Sequence, residues 1–178
     1  MSSSTKLNVD SSGVEVSSTL YRSIIGSLLY LTTSRPDIAF SVGVYTRYQA
    51  APKESHLTAV KQIIRYVNGT PDYGLWYLKD SNVCLAGYLD AEWAGSVDDR
   101  KSTLGGCFYL GNNLVSWMSK KQNSVSLSTA EAEYIAVGSC CTQLPWMKKL
   151  LHDYGIPQDT MCVFCDNTNA INLSKNPV

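Results

Sequence analysis

The chain has 178 residues, 44% of them hydrophobic, enough for one ordinary domain or for a compact domain with a helical appendage. Its 15 basic residues balance 15 acidic ones, so no global positive field points to nucleic acid, and any such binding rests on local patches. The opening MSSSTKLNVDSSG has no apolar core of a leader, and no later run is apolar enough to span a bilayer. A soluble, cytoplasmic chain that is not secreted is expected, with residues 1–18 as a disordered polar lead-in.

Residues 19–72 read as helical. In the first helix Tyr21, Ile24, Ile25, Leu28 and Leu29 recur at i, i+3, i+4 spacing on one face. The pattern breaks at Ser34 to Pro36, and Pro36 opens a second helix presenting Ile38, Val42 and Tyr45. A third helix follows Pro52, with Leu57, Val60, Ile63, Ile64 and Val67 inward and Gly69 in a capping position. These helices hold no convergent acids.

From Tyr73 the texture changes to short apolar runs broken by turn residues. Strands are predicted at 73–78, 83–90, 104–110, 114–117 and 125–127, as an antiparallel meander. A long helix over 129–154 ends at Gly155 and carries Pro145, which lacks an N–H and predicts a break near 143–145. A strand at 161–166 and the start of another helix complete an α/β order, so residues 73–178 are expected to form one domain behind the helical segment 19–72.

Six cysteines without a secretion signal read as reduced thiols. Cys162 and Cys165 stand at C-x-x-C spacing, but in a strand residues three apart point to opposite faces, and no Gly or Pro makes a knuckle turn. Buried thiols are expected there, without zinc.

Asp90 ends a strand, Glu133 sits in the first turns of the long helix, and Asp166 ends the strand after it. Acids so placed converge at one sheet edge, and their hard oxygens suit Mg²⁺ or Mn²⁺. The same helix holds Glu131. Ser128 and Glu131 make a capping box, with Glu131 reaching back to the Ser128 N–H, whereas Glu133 projects roughly 200° away and is free to ligate. Glu133 is therefore assigned to metal, with Glu131 as the fallback.

YRSIIGSLLYLT (21–32), GYLDAEWAG (87–95), DRKST (99–103), LSTAEAEY (127–134) and CDN (165–167) together resemble the connection and ribonuclease H region of copia-type retrotransposon Pol polyproteins. The resemblance runs from about Tyr21 to the last residue. It implies a ribonuclease H-like mixed sheet with flanking helices, preceded by a small helical segment. It also implies metal-dependent, two-ion cleavage of the RNA strand of an RNA–DNA hybrid during reverse transcription, next to an upstream reverse transcriptase domain. An active element would place the chain in a virus-like particle. The family's ligands fall on Asp90, Glu133 and Asp166, with Asp90 bridging both ions. The chain departs from the pattern at Glu92, Leu89 and Pro145, and the family's fourth acid is expected in a segment beyond Val178, so the domain is expected to be C-terminally truncated and to cleave hybrids poorly or not at all.

Arg100, Lys101, Ser102, Lys120 and Lys121 form two short polar and basic clusters suited to hybrid phosphates, with a solvated surface as the alternative. Asp98 and Asp99 follow Val97 without the tyrosine of a polymerase motif and read as a solvated turn. Trp93 and Trp117 read as packing residues more than stacking platforms. His56 and His152 are isolated. The competing reading of the whole chain is a catalytically inactive remnant kept as a packing or nucleic-acid-binding module, and a thiol or zinc protein is a third.

Overall fold

The computed structural model describes residues 7–79 and 81–176. The chain divides between Leu75 and Trp76 into two compact units.

The first unit is helical: α1 (Ser18–Leu31), a 3₁₀ turn (Pro36–Ile38), α2 (Ala39–Tyr45), a second 3₁₀ turn (Thr46–Tyr48) and α3 (Glu54–Gly69). Tyr21, Ile25 and Leu28 of the first helix pack with Ile38, Val42, Val60 and Ile63. The apolar stripes read from sequence are wider than the faces that pack, since Leu29 and Ile64 are more than two-fifths exposed.

Of the lead-in expected to be disordered, residues 1–6 lie outside the described residues. From Leu7 onward the expectation is corrected. The Tyr48 hydroxyl donates to the Leu7 carbonyl at 3.1 Å, Glu15 bridges to Lys53, and the Glu54 N–H donates to the Val14 carbonyl at 2.9 Å. The reason lies at the start of α3, whose first N–H groups lack partners within the helix. His56 serves the same end: it is fully buried, its Nδ1 accepts the Lys53 N–H at 3.0 Å, and its Nε2 donates to the Asn8 carbonyl at 2.8 Å.

The second unit is a mixed α/β layer: β1 (Leu85–Glu92), β2 (Thr103–Leu110), β3 (Asn113–Lys121), α4 (Thr129–Asp153), β4 (Cys162–Phe164) and α5 (Thr168–Lys175). The sheet order is β3-β2-β1-β4. β1 to β3 are antiparallel neighbours, and β4 lies parallel to β1 with Ala86 opposite Cys162 and Tyr88 opposite Phe164. This four-stranded mixed sheet with flanking helices is compatible with a ribonuclease H-like fold.

Strict alternation along β1 sends Leu85, Gly87, Leu89 and Ala91 into the core and leaves Tyr88, Asp90 and Glu92 exposed. The core face packs on Ala132, Ala136, Cys140, Leu144 and Met147 of α4. Contact is closest at Gly87, where an added Cβ would lie 2.6 Å from the Cys140 Sγ. On the opposite face Tyr88 stacks on Phe164, with ring centroids 4.7 Å apart.

Three expected elements differ. Residues 73–78 form no strand. Their side chains find no layer to pack on, Trp76 being 82% exposed, and the Leu78 N–H and carbonyl are taken by the Asn113 side-chain amide at 2.7 and 3.1 Å. Residues 125–127 are also not a strand, because they form the entry to α4, with the Leu127 N–H bound by Glu131. The break expected at Pro145 does not occur: α4 is continuous from Thr129 to Asp153. Cys140 before the proline and Leu144 and Met147 around it are buried in one cluster, so packing holds both halves in line despite the missing N–H.

Candidate metal centre

The CDN segment at the end of β4 meets the first turns of α4. Ser128 caps α4, its hydroxyl accepting the Glu131 N–H at 3.2 Å. Glu131 turns back as expected, but its carboxylate accepts from Leu127, one residue before the cap, at 2.6 Å. Glu133, further round the helix, is 8% exposed and points at the end of β4.

Asn167 fixes that carboxylate. Its side-chain oxygen caps α5 by accepting from the N–H groups of Asn169 and Ala170 at 3.0 and 3.1 Å. The amide nitrogen is thereby left to donate to Glu133 Oε1 at 3.3 Å. The other oxygen, Oε2, accepts from the Cys165 thiol at 3.2 Å. Burial pushes the Cys165 thiol up, its bond to the Asn167 backbone pulls the other way, and the Glu133 and Asp166 carboxylates add to the rise.

Glu133, Cys165 and Asp166 each bring one donor atom within 4.8 Å of the others. Asp90 does not belong to this group. It sits two residues beyond Tyr88 within β1, whereas Asp166 sits two residues beyond Phe164 in the chain that follows β4. Asp90 is exposed, and its carboxylate accepts from the Ala91 N–H at 2.7 Å. The donors fit a divalent cation. Burying a carboxylate charge is costly and a cation offsets that cost; Glu133 accepts two hydrogen bonds, and among the described residues no Lys, Arg or His forms an ion pair with it.

Cys165 was missed as a donor by sequence reasoning. The parity that separates it from Cys162 also places it on the α4 side of the sheet, beside Glu133, and that was the available signal.

The basic clusters fare unevenly. Ser102 is fully buried, its hydroxyl accepting the Ala94 N–H at 3.1 Å and its carbonyl the Gln122 N–H at 2.9 Å. It is therefore withdrawn as a phosphate contact, because the DRKST motif spends it on closing the loop between β1 and β2. Lys121 pairs with Asp99 at 2.6 Å. Burial pushes the Asp99 carboxyl up, but hydrogen bonds from Lys121, Ser96 and the Lys101 backbone outweigh it and hold the group at about 2. Asp99 thus anchors the loop, and residues 97–99 form an exposed turn, as expected. Arg100 and Lys120 are exposed and Lys101 is half-buried, with Arg100 in a left-handed conformation at φ 57°. The Trp93 indole N–H donates to the Ser126 carbonyl at 2.9 Å. No helix of the described residues is long and apolar enough to cross a membrane.

Over its whole length the chain is 41% identical to the Retrovirus-related Pol polyprotein from transposon RE2 of Arabidopsis thaliana. Over 88% of its length it is 44% identical to the corresponding polyprotein from transposon TNT 1-94 of Nicotiana tabacum. In each case it spans only 12% of the relative. It is also 41% identical, over 71% of its length, to the Secreted RxLR effector protein 161 of Plasmopara viticola, of which it covers 90%. No family model and no solved structure matches it.

Proposed function

For this chain, which belongs among the retroelement-derived relatives of the retrovirus-related Pol polyproteins of transposons, we propose ribonuclease H-type hydrolysis of the RNA strand of RNA–DNA hybrids. The observation that carries the reading is the buried Glu133 carboxylate meeting Asp166 just past the carboxyl end of β4, the strand parallel to the β1 that carries Asp90. Carboxylate oxygens at that edge are the donor type that Mg²⁺ and Mn²⁺ take, with substrate phosphate oxygens completing the shell.

Glu133, Asp166 and Asp90 are the residues assigned to hold the ions. When bound, such ions polarise the scissile phosphate, lower the pKa of an attacking water and neutralise the departing 3′ oxygen. The chain's own residues set the geometry. Asn167 locks the Glu133 carboxylate in one orientation. Asp90 lies exposed on β1 two residues before its end, open to a substrate phosphate. Arg100, Lys101 and Lys120, with Lys121 where it is not held by Asp99, supply phosphate contacts that position a duplex without reading its sequence. RNA preference comes from contacts to the 2′-OH. The proposed partners are the hybrid and an upstream reverse transcriptase domain of the same polyprotein.

A second reading, an inactive remnant that binds nucleic acid or packs structurally, is favoured by one observation: Asp90 stands outside the three-donor cluster. Cleavage of a labelled hybrid in Mg²⁺ or Mn²⁺ separates the two. Whatever cleavage the chain shows is expected to be abolished by Asp90→Asn, Glu133→Gln and Asp166→Asn. Activity untouched by all three refutes the site, and a folded chain without any cleavage favours the remnant.

A further inference from the structure

Oxygen ligands alone do not describe the cluster at the end of β4, because one of its three donors is a sulfur. We propose that Cys165, Glu133 and Asp166 form a three-ligand site for a thiophilic divalent cation of the zinc class, which occupies the place assigned above to Mg²⁺. The inference rests on that reading only in sharing two carboxylates with it.

Three features of the structure support the site. The Cys165 Sγ lies 3.2 Å from Glu133 Oε2. Sulfur at about 2.3 Å and oxygen at about 2.0 Å from a tetrahedral zinc are separated by roughly 3.5 Å, so the pair is spaced for one ion with little movement. The third donor, Asp166, adjoins Cys165 in sequence and falls within 4.8 Å of both other donors. Finally, Glu133 is buried, oriented by Asn167, and without a counter-cation among the described residues. Its present partners, a thiol and an amide, supply hydrogen bonds but no positive charge, while the exposed Asp166 leaves the cluster open to an ion arriving from solvent.

Softness decides which cation wins. A thiolate contributes little to Mg²⁺, which prefers six oxygens and keeps its water, and contributes strongly to Zn²⁺ or Cd²⁺. On binding, the Cys165 S–H bond breaks, its proton goes to solvent and the sulfur lone pair ligates the ion. Three protein ligands leave a fourth position for water. A zinc-class ion held there excludes Mg²⁺ from Glu133 and Asp166, making the site one that zinc shuts.

The test uses the complete 178-residue chain and Cd²⁺ as probe, read by the ultraviolet charge-transfer band of Cd²⁺–thiolate bonding. Cys84 and Cys141 are exposed free thiols, so the reference protein carries Cys84→Ser and Cys141→Ser. A band saturating at one equivalent is expected in that reference, lost on adding Cys165→Ser and weakened at least about tenfold in affinity by Glu133→Gln. A band unchanged by Cys165→Ser overturns the proposal. Should Cys165→Ser fail to fold, alkylation of the wild-type chain mapped by mass spectrometry decides instead. Zn²⁺ must slow modification of Cys165 while leaving Cys84 and Cys141 reactive, and equal rates with and without Zn²⁺ overturn the site. Hybrid cleavage is a separate readout. A specific band without cleavage keeps this site and sinks the nuclease reading, and Mg²⁺-dependent cleavage without a band does the reverse.

Discussion

Gly87→Ala tests how the second unit is held together, because the structure fixes both the clash and its remedy. A methyl at position 87 would sit 2.6 Å from the Cys140 Sγ, 3.3 Å from Leu144 Cδ1 and 3.4 Å from Phe108 Cδ1. Ordinary contact between such atoms is about 3.5–4.0 Å, so α4 must move away from β1 by roughly 1 Å, or Cys140 must leave its rotamer. Cys140 is completely buried between helix and sheet, so neither relief is free. Overpacking of this kind costs about 1–3 kcal/mol, and in a domain of this size each kcal/mol lowers the melting midpoint by about 4–8 °C. Thermal and urea unfolding of the variant should show that loss. Adding Cys140→Ala removes the nearest atom, so the double variant should be more stable than the sum of the single effects by about 1 kcal/mol. Wild-type stability in Gly87→Ala, or strict additivity in the double variant, would refute the close approach of β1 and α4.

Pro145 is exposed within a continuous helix and removes one backbone bond, so Pro145→Ala should stabilise the chain by up to about 3 kcal/mol; a lower urea midpoint would show that the proline is needed there. Asn167→Ala removes the cap of α5 and should cost about 1 kcal/mol, read as a fall in the urea midpoint that Asn167→Ser largely restores. Asp99 has its carboxyl lowered from 3.8 to about 2, so its contribution to stability is present above pH 4 and is lost as pH falls through its folded value. The stability advantage of wild type over Asp99→Asn should therefore vanish between about pH 4 and pH 2 in acid unfolding curves, and a gap constant across that range contradicts the Lys121 pairing.

Much of the architecture was legible where periodicity and punctuation agreed. Tyr21, Ile25 and Leu28 announce the packed face of α1, and the alternation of Leu85, Gly87, Leu89 and Ala91 orients β1. Misreadings arose where tertiary context overrode local signals. Tyr73 to Leu78 carry strong β propensity but have no neighbouring strand, and propensity alone forms no ladder. Pro145 is tolerated because burial on both sides outweighs one lost hydrogen bond. Ser102 looked like a phosphate contact among basic neighbours, and only the loop closure shows that its hydroxyl is taken. At the site, Glu131 and Glu133 were separable by helix angle, whereas the meeting of Cys165 with Glu133 depends on how far β4 brings its end toward α4, a distance no local pattern encodes.

The strand order also sets when the candidate centre exists during folding. β1 finds β2 across residues 93–102, but meets β4 only when Ala86 reaches Cys162, a closure whose entropic cost precedes its reward. That last pairing spans three residues, Cys162–Phe164, so it is the weakest seam of the sheet and the first to open in native-state fluctuations. Cys165 and Asp166 arrive and leave with it, whereas Glu133 is already fixed on α4. Amides of β4 should therefore lose hydrogen-exchange protection well before those of β1, and any cation held by Cys165 and Asp166 would act as a clasp, slowing β4 exchange in proportion to its occupancy.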